Sequence, residues 1–124
     1  MTSKKVLIAE DEKPMANALD LKLRSAGFET VLVYDGDSAL ATLQQSKFDL
    51  IILDLVLPKK DGFLVLSELK KLKITTPVIV SSNLSQEEDI RRARELGARD
   101  FFIKSNITLA EIVEKVKIQL TNDV

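Results

Sequence analysis

The sequence predicts an α/β fold in which helices cover both faces of a parallel sheet, and three observations carry that expectation. Five short β-rich apolar runs alternate with five stretches whose apolar residues recur at helical spacing. The strand runs are nearly continuous in their apolar character, as expected for strands buried on both faces. Glycine, proline and capping signals fall between the runs. A βα unit repeated five times with right-handed crossovers gives a doubly wound, five-stranded parallel sheet.

The first strand is read from Lys4 to Glu10, "KKVLIAE". Pro14 suits a helix first turn, and Met15, Ala18, Leu19 and Leu23 follow at helical spacing. Gly27 is placed to end that helix. Phe28 to Tyr34 reads as the second strand, closed by an Asp35-Gly36 turn, and Ser38 to Gln45 as a short helix. "DLIIL" is the third strand; Pro58 and Asp61-Gly62 mark a loop; Phe63 to Leu72 has Phe63, Leu66 and Leu69 in helical phase. Pro77 to Val80 is the fourth strand. A capping box "SQEE" from Ser85 opens a helix ending near Gly97. Asp100 to Ile103 is the fifth strand, and "TLAE" from Thr108 caps a last helix that reaches about Leu120.

Composition narrows the chemistry. The 124 residues are 45% hydrophobic and 30% charged, which fits one folded domain, 1–124, with a single core. A net charge of -1 supplies no global field toward nucleic acid or membrane. With no cysteine there is no disulfide, thiolate metal site or Cys nucleophile; with no histidine the commonest general base and transition-metal ligand are also missing. Carboxylates, lysines and hydroxyls remain, and oxygen ligands favour Mg²⁺, Mn²⁺ or Ca²⁺. No apolar run approaches the roughly 20 residues of a membrane span, and "VLIA" after "MTSKK" is too short for a signal-peptide core, so a cytoplasmic location is expected.

Sites in such sheets lie outside the carboxyl ends of the strands. There the sequence places Glu10, Asp11 and Glu12 after the first strand, Asp54 at the end of the third, Ser81 and Ser82 at the end of the fourth, and Lys104 after the fifth. Each type has a common structural role alone, as helix N-terminal charge, turn residue or solvated lysine. Their joint placement points to a site. Two carboxylates about 4 Å apart repel by about 4 kcal/mol at an effective dielectric of about 20. A divalent cation removes that conflict and screens Asp54 from an approaching phosphate. Lys104 complements the phosphate oxygens, and Asp54 has the chemistry of a covalent nucleophile toward phosphorus.

These residues resemble the receiver domain of two-component response regulators, over essentially the whole chain. The Glu10-Asp11 pair is similar to that family's acidic pair. "DLVLPKKDG" is similar to its phosphoacceptor segment, Ser81 falls at its Ser/Thr position, and "GARDFFIKS" resembles its Gly-Ala, aromatic and Lys. The resemblance implies the flavodoxin-like strand order 2-1-3-4-5 and a single receiver domain with no effector domain in this chain. It implies that Asp54 accepts a phosphoryl group from a histidine kinase or a histidine phosphotransfer protein. Mg²⁺, or Mn²⁺ in its place, would be bound by Asp11, Asp54 and the Val56 carbonyl, with Glu10 acting through water. Lys104 and Ser81 would contact the phosphoryl oxygens, and Phe101 would be the switching aromatic, with Phe102 on the other face of the strand. Output would pass through the face made by the fourth helix, fifth strand and fifth helix, to a downstream protein or a second copy of the chain. The protein would catalyse only its own phosphorylation and dephosphorylation.

Two departures bear on the site. The family has Pro after the Lys, in a cis peptide; Ser105 stands here, and the 2.5–4 kcal/mol typical of a cis non-proline bond predicts trans. Val56, two residues past Asp54, cannot hydrogen-bond an attacking water, which predicts slow self-hydrolysis; Ser82, a small residue, leaves access to the site open. A haloacid dehalogenase-type phosphatase would need an acid/base Asp where Val56 stands. A flavodoxin-like nucleotide binder would need a Gly- and hydroxyl-rich cradle where "EDEKPM" stands. A phosphorylation-independent protein-binding module of the same fold is the alternative reading. DNA binding through Arg91, Arg92 and Arg94 is not expected, because Glu87, Glu88, Asp89 and Glu95 cancel their charge.

Overall fold

The computed structural model describes residues 3–83 and 86–121. The elements are β1 (Lys5–Ala9), α1 (Lys13–Ser25), β2 (Glu29–Val33), α2 (Gly36–Gln45), β3 (Leu50–Asp54), α3 (Gly62–Lys71), β4 (Val78–Ser82), α4 (Glu87–Glu95), β5 (Asp100–Ile103) and α5 (Leu109–Thr121), with a short 3₁₀ turn at Lys104–Asn106. All strand pairings are parallel and the order is β2-β1-β3-β4-β5, as expected. Alternate residues of the central strands feed two cores. Leu7, Ala9, Ile51, Leu53 and Val80 pack under α2, α3 and α4; Val6, Ile8, Leu50, Ile52 and Ile79 pack under α1 and α5. That two-sided burial is why these strands are apolar at every position.

Local signals set most boundaries. After α1, Gly27 adopts φ +96, and the amides of Gly27 and Phe28 bond back to the carbonyls of Arg24 and Leu23. The Thr108 box is reciprocal: the Glu111 amide donates to Thr108 Oγ1, and the Thr108 amide donates to Glu111 Oε1. Those bonds hold the Glu111 carboxyl below its usual range. The Asp35-Gly36 pair differs from expectation. It does not close β2 as a separate turn but opens α2, with Asp35 Oδ1 accepting from the Ser38 amide at 2.7 Å. The expected box at Ser85 lies outside the described residues, and the cap position of α4 is Gln86.

The α3 terminus uses the same hydrogen-bond pattern as α1, with the Lys73 and Ile74 amides bonded to Lys70 and Leu69, but Lys73 occupies φ 58. A side chain in that region costs roughly 1 kcal/mol. Lys73→Gly is therefore expected to raise stability by about 0.5–1 kcal/mol, read as a higher midpoint in urea with an unchanged slope.

Candidate functional site

The site is built at the carboxyl edge of the three central strands. β3 ends in Asp54, which pairs in register with Ser81 of β4. Both side chains are buried, with residue exposures of 3% and 1%. Glu10, directly after β1, is 1% exposed. Its Oε2 accepts from the Glu12 amide at 3.0 Å, which turns the chain into α1. Asp54 Oδ1 accepts from the Val56 amide at 3.1 Å.

Lys104 ties these carboxylates together. It enters from the 3₁₀ turn after β5, and its Nζ lies 2.8 Å from Asp54 Oδ2, 2.7 Å from Glu10 Oε1 and 2.9 Å from Glu12 Oε1. The Lys104-Ser105 peptide is trans, as the absence of proline predicts, since no cis bond occurs among the described residues. Burial works against the ammonium, but its hydrogen bonds to Asp54, Glu10 and Glu12 outweigh burial and hold Lys104 above its ordinary value. Burial pushes the Glu10 carboxyl up to about 7, with the Asp54 charge adding to the rise and the bonds from Lys104 and the Glu12 amide opposing it. In the fold Glu10 thus retains a proton that the unfolded chain releases nearer pH 4.5. This makes stability fall as pH rises from about 4.5 to about 7, by on the order of 3 kcal/mol for the isolated group. Urea unfolding across that window checks the sign, and Glu10→Gln is expected to flatten the profile.

Glu10, Glu12 and Asp54 each present an oxygen within 4.8 Å of the others, a donor set suited to a hard divalent cation. The fit is supported by Glu10 Oε1. Among the described residues this buried oxygen meets only the Lys104 ammonium, at 2.7 Å, which leaves a lone pair for a cation. Asp11, expected as a direct ligand, is exposed and stands outside this trio. Glu12, itself exposed, completes the trio, although the sequence reading gave it no ligand role. Its position beside the acidic pair was the available signal; which carboxylate reaches the cluster depends on the backbone path after β1. Ser81 Oγ is buried without a hydrogen-bond partner among the described residues. Ser82 is also buried, at 3%, whereas the Val56 side chain stands at the mouth, 59% exposed.

The aromatics of β5 divide as expected. Phe102 belongs to the core under α1 and α5, while Phe101 is partly buried against the opposite core, with the Arg94 guanidinium 5.0 Å from its ring centre. Two glycines complete the frame. A Cβ on Gly62 would come within 2.5 Å of the Asp54 carbonyl oxygen, and one on Gly36 within 1.9 Å of the Lys60 carbonyl oxygen.

The response regulator receiver domain family matches residues 6–117. The chain belongs to that family. The receiver fold is likewise shared with solved structures. The Francisella response regulator 1452 receiver domain has 30% identity and TM-score 0.93, over 98% of this chain and 100% of that one. The phosphorylated cyanobacterial phytochrome response regulator RcpA has 34% identity and TM-score 0.84, over 99% and 97%. The Mn²⁺-bound form of response regulator Rcp1 has 32% identity and TM-score 0.83, over 98% and 96%. Membership makes this receiver a component of two-component signalling, with phosphotransfer partners of that system in general. No described helix is long and apolar enough to cross a membrane.

Proposed function

We propose that this receiver is a phosphorylation switch in which Asp54 is the phosphoacceptor, loaded from a histidine kinase or histidine phosphotransfer protein in the cytoplasm. The carrying observation is a buried strand-end carboxylate with an ammonium at 2.8 Å and, in register beside it, a buried hydroxyl lacking a hydrogen-bond partner among the described residues. In the step, an Asp54 carboxylate oxygen attacks phosphorus, the P–N bond to the donor imidazole breaks, and its electron pair returns to the ring nitrogen. Lys104 moves from carboxylate to phosphoryl oxygen, and Ser81 donates to another. A divalent cation, Mg²⁺ or Mn²⁺, would supply positive charge between the carboxylates and the phosphoryl oxygens. Glu10, Glu12 and Asp54 would hold it, with Asp11 and the Val56 carbonyl as the further ligands implied by the resemblance. The new charge, about -1.5 to -2, draws Ser81 toward the site. Phe101 then turns inward, changing the face formed by α4, β5 and α5, which a downstream protein or second copy reads.

The test is intact-protein mass after incubation with acetyl phosphate, with and without Mg²⁺. One added phosphoryl group, dependent on Mg²⁺, supports the proposal. No addition under conditions that load a control receiver would leave a phosphorylation-independent binding module. Because the cation favours the ionised cluster, Mg²⁺ is expected to raise the melting temperature more at pH 8 than at pH 5. Val56→Asn is expected to shorten the lifetime of the phosphorylated protein, by positioning an attacking water that Val56 cannot bond; phosphoryl loss followed by mass measures it.

A further inference from the structure

Three consecutive residues at the start of α2 hold three consecutive residues of the β3–α3 loop. The Gly36 amide, the first of α2 and without an intrahelical acceptor, donates to the Pro58 carbonyl at 3.1 Å. Asp35 Oδ2 lies 4.0 Å from Lys59 Nζ, and Asp37 Oδ1 lies 3.7 Å from Lys60 Nζ. The backbones are so close that a Cβ on Gly36 would meet Lys60 at 1.9 Å from its carbonyl oxygen and 2.6 Å from its Cβ. Lys59 sits at φ 68, a conformation unfavourable for a side chain, and the Lys60 amide folds back onto the Pro58 carbonyl at 2.8 Å. This tightly turned loop is the same one whose Val56 amide holds Asp54.

We propose that the Asp35-Gly36-Asp37 segment is a clasp, with Gly36 as its positioning residue, that fixes the β3–α3 loop and thereby sets the affinity of the neighbouring acidic cluster for a divalent cation. The inference rests on the phosphoacceptor reading for the role of that cation. The clasp acts through two links. Docking Pro58 to Lys60 limits the paths open to Val56 and Leu57, and the Val56 amide orients one Asp54 oxygen, leaving the other to Lys104. A loosened loop lets that carboxylate sample rotamers that a cation cannot use, so cation binding must pay for ordering it. Each ion pair joins an exposed side chain to a half-buried one at long range, and is worth little singly; close backbone approach at Gly36 is the larger contribution.

The test is Mg²⁺ titration of the full chain, followed by amide NMR at Val56, for the wild type, Gly36→Ala, Asp37→Lys and the exchanged pair Asp37→Lys with Lys60→Asp. Gly36→Ala is expected to shift the metal-free Val56 amide resonance and raise the half-saturating Mg²⁺ concentration about tenfold. Asp37→Lys, which sets like charges together on an exposed surface, is expected to raise it about twofold, and the exchanged pair to restore it. A folded Gly36→Ala protein with wild-type Val56 resonance and Mg²⁺ affinity overturns the clasp. Should Gly36→Ala not fold, the pair decides: a twofold loss that the exchange restores supports the clasp, and no change or no restoration overturns it. If the wild type takes up no phosphoryl group and binds no Mg²⁺, the phosphoacceptor reading fails separately. The metal-free Val56 resonance then judges the loop contact, displaced in the variants if the clasp holds and unmoved if it does not.

Discussion

Asp54→Asn is expected to gain no phosphoryl group from acetyl phosphate under conditions that load the wild type, with the fold retained. The amide keeps the shape of the carboxylate, but its oxygen is too weak a nucleophile toward phosphorus and it removes one charge from the acidic cluster. The loss should be complete, because Asp54, unlike the similarly buried and Lys104-paired Glu10, stands in register beside the buried Ser81 hydroxyl, with Lys104 at 2.8 Å. Residual phosphorylation of the variant, located by fragmentation, would move the acceptor to Glu10, Asp11 or Glu12 and reverse the assignment. Stability is informative too. In the variant Lys104 keeps the Glu12 carboxylate at 2.9 Å and Glu10 at 2.7 Å as partners, so no buried ammonium is stranded. A variant that unfolds would indicate that Asp54 is chiefly a structural counterion.

Gly62→Ala is expected to destabilise the domain by about 3 kcal/mol, lowering the melting temperature by on the order of 10 °C. The added methyl would stand 2.5 Å from the Asp54 carbonyl oxygen and 2.6 Å from Leu55 Cα. Both obstacles are backbone, and neither can retreat easily. The Leu55 amide is tied to Ser81 at 3.2 Å, and its carbonyl accepts from the Gly62 amide at 2.9 Å. Relief therefore requires α3 to move as a body, opening the core around Phe63, Leu66 and Leu69. Calorimetry measures the loss. An unchanged melting temperature would mean that the α3 terminus is not seated against β3 as described.

The elements were legible because their causes are local. Periodicity distinguished Leu19 and Leu23 of α1 from the unbroken "LIIL" of β3. Gly27 and the Thr108–Glu111 box end and start helices through bonds spanning a few residues. The fold class and the neighbourhood of Asp54 follow from those signals, because a parallel sheet gathers the carboxyl ends of its strands at one edge. Asp35-Gly36 is ambiguous in sequence because Asp and Gly favour turns and helix caps alike, and the choice rests on whether a helix follows directly.

What the sequence alone determined about this receiver is therefore the order of its elements, its two-faced core and the residue types brought to the edge of the sheet. Tertiary structure alone decided which carboxylates converge. Glu12 lies with Glu10 and Asp54 while Asp11 faces solvent, an outcome set by a single turn of backbone between β1 and α1. It likewise decided that Gly36 and Gly62 are sites of close backbone approach, since their contacts lie on segments distant from them in the chain or across a loop. The physical reason is the same in each case. Periodicity and capping act between residues a few positions apart, whereas a side chain's direction at a site is set by packing between segments that meet only once the sheet has formed.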